Sequence, residues 1–324
     1  MDDNTKIVVV GSGAVGSTFA YTVLLKGLAN ELVIIDINKD KAEGDALDLN
    51  HGLLLAQPMK IYAGDYPDCK NADIIVITAG AAQKSGETRL DLMQRNVVIF
   101  NQILTEILKY NDSAIFIIAT NPVDILTYIT IKLTNLPKNQ IVGSGTLLDS
   151  ARFRYLISQK IKIDPRSIHG MIIGEHGDSE LPLWSLLNVA GVNLAEVDYG
   201  CHFHLSNESM EEVYNNTKNA AYQIITKKGA TYYAIALSLS RICEAILGDQ
   251  KSILPLSAYL NDYKGISDVC LGIPCIVGRS GIEEVLDLPL NNTEEEQLKN
   301  SAMQLKNFIK QIELPSNIHK NVKL

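Results

Sequence analysis

Ile7-Val8-Val9-Val10-Gly11-Ser12-Gly13-Ala14-Val15-Gly16 decides how this chain folds. Four branched apolar residues in a row suit a strand buried on both faces of a parallel sheet. The run passes directly into G-x-G-x-x-G, a helix-compatible stretch follows to about Leu28, and Leu32-Val33-Ile34-Ile35 forms a second strand that Asp36 closes. In such a strand-turn-helix-strand unit Gly11 permits the tight turn, Gly13 leaves room for a pyrophosphate at the helix N-terminus, and Gly16 lets helix and strand pack closely. Asp36 stands twenty residues past Gly16. Its carboxylate can accept hydrogen bonds from a ribose diol and would repel a 2′-phosphate, so the expected dinucleotide is NAD rather than NADP.

The alternation continues outward from this unit. Residues 39–55 are predicted helical, 59–62 a short strand, and Asp73–Thr78 and Ala114–Ala119 buried strands that end at Gly80 and at Thr120-Asn121-Pro122. Strands alternating with helices imply a doubly wound parallel α/β sheet of the Rossmann type, with ligands at the carboxyl ends of its strands. The polar loop 81–89 at one such end is a candidate lid, and Gln83 and Arg89 are its candidate functional residues. Near residue 145 the pattern changes, which divides the chain into a dinucleotide-binding domain, 1–144, and an α+β substrate domain, 145–324.

In the second half Asp149 and Arg152 share a helix face three residues apart. His176 lies between Gly174 and Gly177 just after the apolar run Met171-Ile172-Ile173. A histidine in that setting can give or take a proton near neutral pH. Helices are expected from Ser209 to Lys227, with a capping box Ser209-x-x-Glu212, and from Thr231 to about Gly248. Antiparallel strands interrupted by Pro255, Gly265 and Pro274 are expected over 252–277. A docking helix signalled by Thr293-x-x-Glu296 carries the stripe Leu298, Ala302, Leu305, Ile309, Ile312.

Composition narrows the function. A net charge of −8 argues against nucleic acid and anionic membrane as partners, because both reward basic surfaces. The acidic N-terminus is unlike a signal peptide, and no apolar run reaches membrane-spanning length. Five scattered cysteines without C-x-x-C spacing indicate neither a disulfide framework nor a metal site, so the cytoplasm is the expected compartment.

Five ordered motifs carry a resemblance to bacterial-type L-lactate dehydrogenases of the lactate/malate dehydrogenase superfamily. They are the glycine loop 11–16, Ala79–Leu90, Thr120–Thr127, Asp149–Arg154 and Gly174–Ser179, within a likeness that runs from about Lys6 to Leu314. The resemblance implies that His176 exchanges a proton with the substrate carbonyl, that Asp149 orients and stabilises the imidazolium, and that Arg89 polarises the carbonyl. It further implies that Arg152 holds the substrate carboxylate, with Gln83, Asn121, Asp124 and Thr231 lining the pocket and the Asn121-Pro122 bond a candidate cis peptide. NAD contacts implied in the same way are Gly11, Gly13, Val15, Gly16, Asp36, Lys41, Tyr66, Gly80, Ala81, Ala119, Asn121 and Ser144. The implied reaction is reversible hydride transfer between NADH and pyruvate giving L-lactate, the last step of fermentative glycolysis.

A homo-oligomer is also implied, the tetramer ahead of the dimer. The glycine loop begins at residue 11, without the long arm of the vertebrate tetramers, which leaves that choice open. Arg154 and His169 match positions through which some bacterial relatives grip fructose 1,6-bisphosphate, an allosteric activator. An NAD-sensing regulator is disfavoured because no basic helix-turn-helix candidate is present. Malate dehydrogenase is separated only at Gln83, where an arginine would pair with oxaloacetate's second carboxylate.

Gln83 accordingly sets the first test. An unpaired buried carboxylate costs ~3 kcal/mol or more, a factor above ~100 in kcat/KM. Pyruvate should therefore be preferred to oxaloacetate, and Gln83→Arg should move preference toward oxaloacetate. A ratio that the substitution leaves unmoved would show that another residue reads the substrate's third carbon.

Overall fold

The computed structural model describes residues 5–81, 86–194 and 203–315; Gln83 lies outside them. The first half runs β1 (Lys6–Val10), α1 (Ala14–Lys26), β2 (Glu31–Ile35), α2 (Lys39–His51), β3 (Lys60–Ala63), β4 (Ile74–Ile77), α3 (Arg89–Ile107), β5 (Ile115–Ile118), α4 (Val123–Leu133) and β6 (Ile141–Gly143). The second half opens with α5 (Leu147–Ile161) and the short strands β7 (Ile168–His169), β8 (Ile172–Ile173), β9 (Leu181–Pro182), β10 (Asn188–Val189) and β11 (Val192–Asn193). It closes with α6 (Asn207–Lys228), α7 (Tyr233–Leu247), β12 (Ser252–Leu260), β13 (Val269–Gly278), β14 (Gly281–Val285) and α8 (Asn292–Ile309).

Six parallel strands lie in the order β3-β2-β1-β4-β5-β6, with the order reversing between β1 and β4. That reversal leaves a crevice at the carboxyl ends of the strands, the usual ligand position in such sheets. The antiparallel strands β12, β13 and β14 extend the same sheet rather than forming their own, joined to β6 where Ser257 pairs Gly143. One sheet therefore runs from the glycine loop to the second half. β1, β4 and β5 are almost wholly buried, as their unbroken apolar sequences require. A separate core of Phe153, Ile157, Ile161, Ile168, Ile172, Leu187 and Val189 fixes α5 against the short strands.

Several expected boundaries move for identifiable reasons. Ser206, not Ser209, caps α6 by accepting the Ser209 N–H, while Glu212 is paired with Lys160 at 2.6 Å. Asn291, not Thr293, caps α8: its side chain accepts the Glu294 N–H, and Glu294 returns the bond to the Asn291 N–H. Helix α7 begins at Tyr233, two residues past Thr231. The prolines do not interrupt the antiparallel pair, because the register sets Pro255 opposite Pro274 and both missing donors fall on one rung.

Gly16 and Gly13 divide two roles of the glycine loop. A Cβ on Gly16 would lie 1.8 Å from the Gly11 carbonyl oxygen, whereas one on Gly13 would meet nothing within 4 Å. Gly16→Ala is therefore expected to cost roughly 2–4 kcal/mol in denaturant unfolding, and Gly13→Ala about 1 kcal/mol or less. Equal midpoints for the two variants would contradict this division.

Candidate active site

The carboxyl ends of the six parallel strands gather most of the residues implied as NAD contacts. Gly11 follows β1, Asp36 follows β2, Gly80 and Ala81 follow β4, Ala119 and Asn121 follow β5, and Ser144 follows β6. Tyr66 opens a short 3-10 turn after β3, and Val15 lies in the first turn of α1. Lys41 pairs Asp45 at 2.8 Å, and the Asp45 carboxylate also accepts the Ser12 hydroxyl, so Lys41 is tied to the glycine loop.

The cradle fits a dinucleotide. Helix α1 has no side-chain cap and no acid in its first turn, and the space before Gly13 is open. Backbone N–H groups with the positive end of the helix dipole are thus free for an anion. The Asp36 carboxylate is fixed beside them by the N–H groups of Ser12, at 2.5 Å, and Asn38, at 2.8 Å.

The residues implied for substrate chemistry are carried by α5, α4 and the segment between β8 and β9. Asp149 in the first turn of α5 is 2% exposed; its Oδ2 meets His176 Nδ1 at 2.5 Å and its Oδ1 accepts from Arg152 Nη1 at 3.0 Å. The His176 side chain keeps 23% exposure, and no described residue bonds its Nε2. The other guanidinium nitrogens of Arg152 likewise carry no bond to a described residue.

Four hydrogen bonds hold the backbone that carries the imidazole in place. Gly174 bridges Gly272 of β13 with two hydrogen bonds of 2.8 Å, Ser301 of α8 accepts the Glu175 N–H at 2.9 Å, and Asp124 of α4 accepts the His176 N–H at 2.7 Å. Ser257 of β12 donates to the other Asp124 oxygen at 2.5 Å. This positioning function of Asp124 and Ser301 was not read from the sequence. A lone carboxylate inside the apolar run Val123-Asp124-Ile125-Leu126 was the available signal, since a charge in a buried helix requires partners.

Burial alone would lower the His176 pKa, but the Asp149 charge and hydrogen bond, then the charges of Asp124 and Glu180, raise it to about 9. Burial acts to raise Asp149, and the charges and bonds of His176 and Arg152 reverse this, holding it below its ordinary value. Asp124 is raised by burial to about 6 against the opposing bonds from Ser257 and the His176 N–H.

The other implied residues stand further out. Arg89 opens α3 at the site's rim, 75% exposed and 3.8 Å from Asp178. Asn121 is exposed after β5, its bond to Pro122 is cis, and Thr231 is half-buried ahead of α7. Arg154 donates to the carbonyls of Pro165 and Arg166, just before exposed His169. Among the described residues no cluster of His, Cys, Asp and Glu is placed to hold a metal.

A family profile described as lactate/malate dehydrogenase, NAD binding domain, matches residues 5–143, and the corresponding alpha/beta C-terminal domain matches residues 146–314. The chain belongs to the lactate/malate dehydrogenase family. It is an NAD-dependent oxidoreductase of that family. The L-lactate dehydrogenase of Acetivibrio thermocellus is 52% identical over 309 residues, covering 95% of this chain and 98% of the relative. That of Thermoanaerobacterium saccharolyticum is 52% identical over 310 residues, covering 96% and 100%. The crystal structure of the minor L-lactate dehydrogenase from Enterococcus mundtii superposes with a TM-score of 0.93 at 42% identity, covering 96% of this chain and 99% of that one.

A raised pKa makes His176 protonation stabilising for the fold. That contribution is complete below the unfolded value, ~6.5, and is lost as pH rises through about 9. Asp149→Asn removes the charge that holds the proton, so the loss of stability between those limits should shrink or vanish in the variant. An unchanged pH dependence of the denaturation midpoint in Asp149→Asn would contradict the pairing.

Proposed function

We propose that this member of the lactate/malate dehydrogenase family is an L-lactate dehydrogenase that reduces pyruvate with NADH and oxidises L-lactate with NAD. The observation that carries the reading is His176 fixed by Nδ1 on Asp149, with Arg152 on the same carboxylate. Bound NADH supplies the hydride.

The chain's own groups do the rest. His176, charged at neutral pH, would give its Nε2 proton to the substrate oxygen and recover it in the reverse direction. Asp149 holds the ring in the tautomer that leaves Nε2 for the substrate and stabilises the imidazolium. Arg152 has nitrogens left to take the substrate carboxylate through parallel bonds, a geometry lysine cannot supply. Arg89, exposed at the first turn of α3, is assigned to polarise the carbonyl as charge develops there. Asn121 and Thr231 are assigned to the pocket wall. A neutral Gln83 favours a substrate with one carboxylate.

The reading extends to assembly and regulation. Tyr21 and Leu25 of α1, Leu47 of α2, and Leu54 and Leu55 just beyond it are exposed on adjoining elements, which supports a homo-oligomer, with a tetramer preferred. Arg154 and His169 are assigned to the phosphates of fructose 1,6-bisphosphate as an activator. Four buried cysteines, Cys69, Cys243, Cys270 and Cys275, are free thiols, which suits a reducing cytoplasm and a place in fermentative glycolysis.

Absorbance at 340 nm with NADH and pyruvate tests the activity. His176→Asn should lower kcat by ~10²–10⁴-fold while NADH still binds. Loss of NADH affinity in proportion to rate would remove His176 from the chemistry. For regulation, fructose 1,6-bisphosphate should lower the pyruvate concentration giving half-maximal rate in wild type and not in Arg154→Ala; an unchanged wild-type curve would refute the activator.

A further inference from the structure

Glu180 lies four residues past His176, immediately before β9, and is 4% exposed. Its Oε1 is buried without a hydrogen-bond partner. The backbone offers it little freedom to leave. The Glu180 carbonyl accepts the Tyr214 hydroxyl at 2.7 Å, and its N–H donates to the Gly177 carbonyl at 3.3 Å. Beside it is a cavity of about 430 Å³ between this turn and α8, lined also by Tyr214, Glu294, Gln297 and Ser301. An anionic oxygen buried without a donor is costly, and a protonated carboxyl is much less so.

The charges around it are those of the candidate active site. The charges that act on it are those of Asp149 and Arg152 on α5, Lys218 on α6 and His176 on its own loop, while the Tyr214 hydroxyl of α6 is bonded to its carbonyl. Glu294 of α8 lines the same cavity, but its carboxylate is engaged by Ser185 and the Asn291 N–H. Glu175 and Asp178 on the same loop are turned to Ser179 and Arg89 respectively. Burial and the Asp149 charge push Glu180 up to about 8, against the pull of His176, Arg152 and Lys218. Arg152 is thus one of the few groups that favour an ionised Glu180. A substrate carboxylate seated on that guanidinium neutralises it and adds a further negative charge.

We propose that Glu180 is a positioning residue for the substrate: a neutral carboxylic acid when a 2-oxo acid sits on Arg152, and, when ionised, a buried negative charge that opposes the substrate carboxylate. Binding of the anion therefore draws a proton from solvent onto Glu180. This rests on the assignment of Arg152 as the carboxylate binder. The consequence is a KM for pyruvate that climbs with pH before His176 itself loses its proton, while kcat for the bound complex stays level.

Glu180→Gln keeps the neutral shape and removes the titration, so it separates the proton from the packing. In wild type the KM for pyruvate should rise several-fold between about pH 7 and 8.5 with kcat nearly constant, and in Glu180→Gln that rise should disappear. Calorimetry with oxamate, an unreactive pyruvate isostere, on the NADH complex in buffers of different ionisation enthalpy reads proton uptake. Wild type should take up several-fold more proton per site than the variant near pH 8. Equal uptake and parallel KM profiles would overturn the proposal. If Glu180→Gln does not fold, the infrared difference spectrum of wild type on oxamate binding decides: a new protonated-carboxyl band supports it, and none refutes it. Wild type that binds NADH but does not reduce pyruvate sinks the dehydrogenase reading together with this one, whereas an active pyruvate reductase without proton uptake sinks Glu180 alone.

Discussion

A carboxylate and an imidazole 2.5 Å apart, with the carboxylate almost wholly out of water, is the constraint on which the second half of this chain depends. Either group charged alone in that place would be expensive, and together they stabilise one another's charged forms. The pairing requires two elements far apart in sequence to meet. Asp149 is delivered by α5, which the core around Phe153 and Ile157 pins against β7, β8 and β10. His176 is delivered by a loop whose backbone is bonded to β13, α8 and α4. The positioning of one proton thus draws on four separate elements and on the continuity of the sheet beneath them.

That continuity ties the proposed cofactor cradle to the proposed substrate residues. Gly143 at the end of β6 pairs Ser257 of β12, and Ser257 in turn donates to Asp124, which holds His176. A Cβ on Gly143 would lie 2.4 Å from Thr127 Oγ1 and 2.6 Å from Ser257 Cβ, so the junction is close-packed as well as hydrogen-bonded. A junction this tight transmits displacement poorly by bending, and the two halves are held as a unit.

Local patterns made the first half legible. Buried parallel strands advertise themselves as unbroken apolar runs, and the glycine loop's context names its ligand class, so β1, β2, β4 and β5 appear nearly where Ile7, Leu32, Ile74 and Ile115 announce them. The helix caps were less legible because Ser206 and Ser209 are chemically equivalent as capping residues, and their spacing does not say at which of them the extended backbone ends. Likewise Asp149 and Arg152 could have been a surface ion pair; their burial beside His176 is a property of packing that no spacing encodes. Glu180 carried no signal at all, because a single glutamate after a loop reads as solvated until its surroundings are seen.

The central claim is that Asp149 makes His176 a stored proton whose Nε2 faces the substrate. Nitrogen-15 resonance of the His176 ring through a pH titration of the wild-type protein tests it most directly. The account predicts a ring that titrates near about 9 and, once neutral, keeps its proton on the Nδ1 that faces Asp149. Titration near the ordinary ~6.5, or a neutral ring protonated on Nε2, would contradict it.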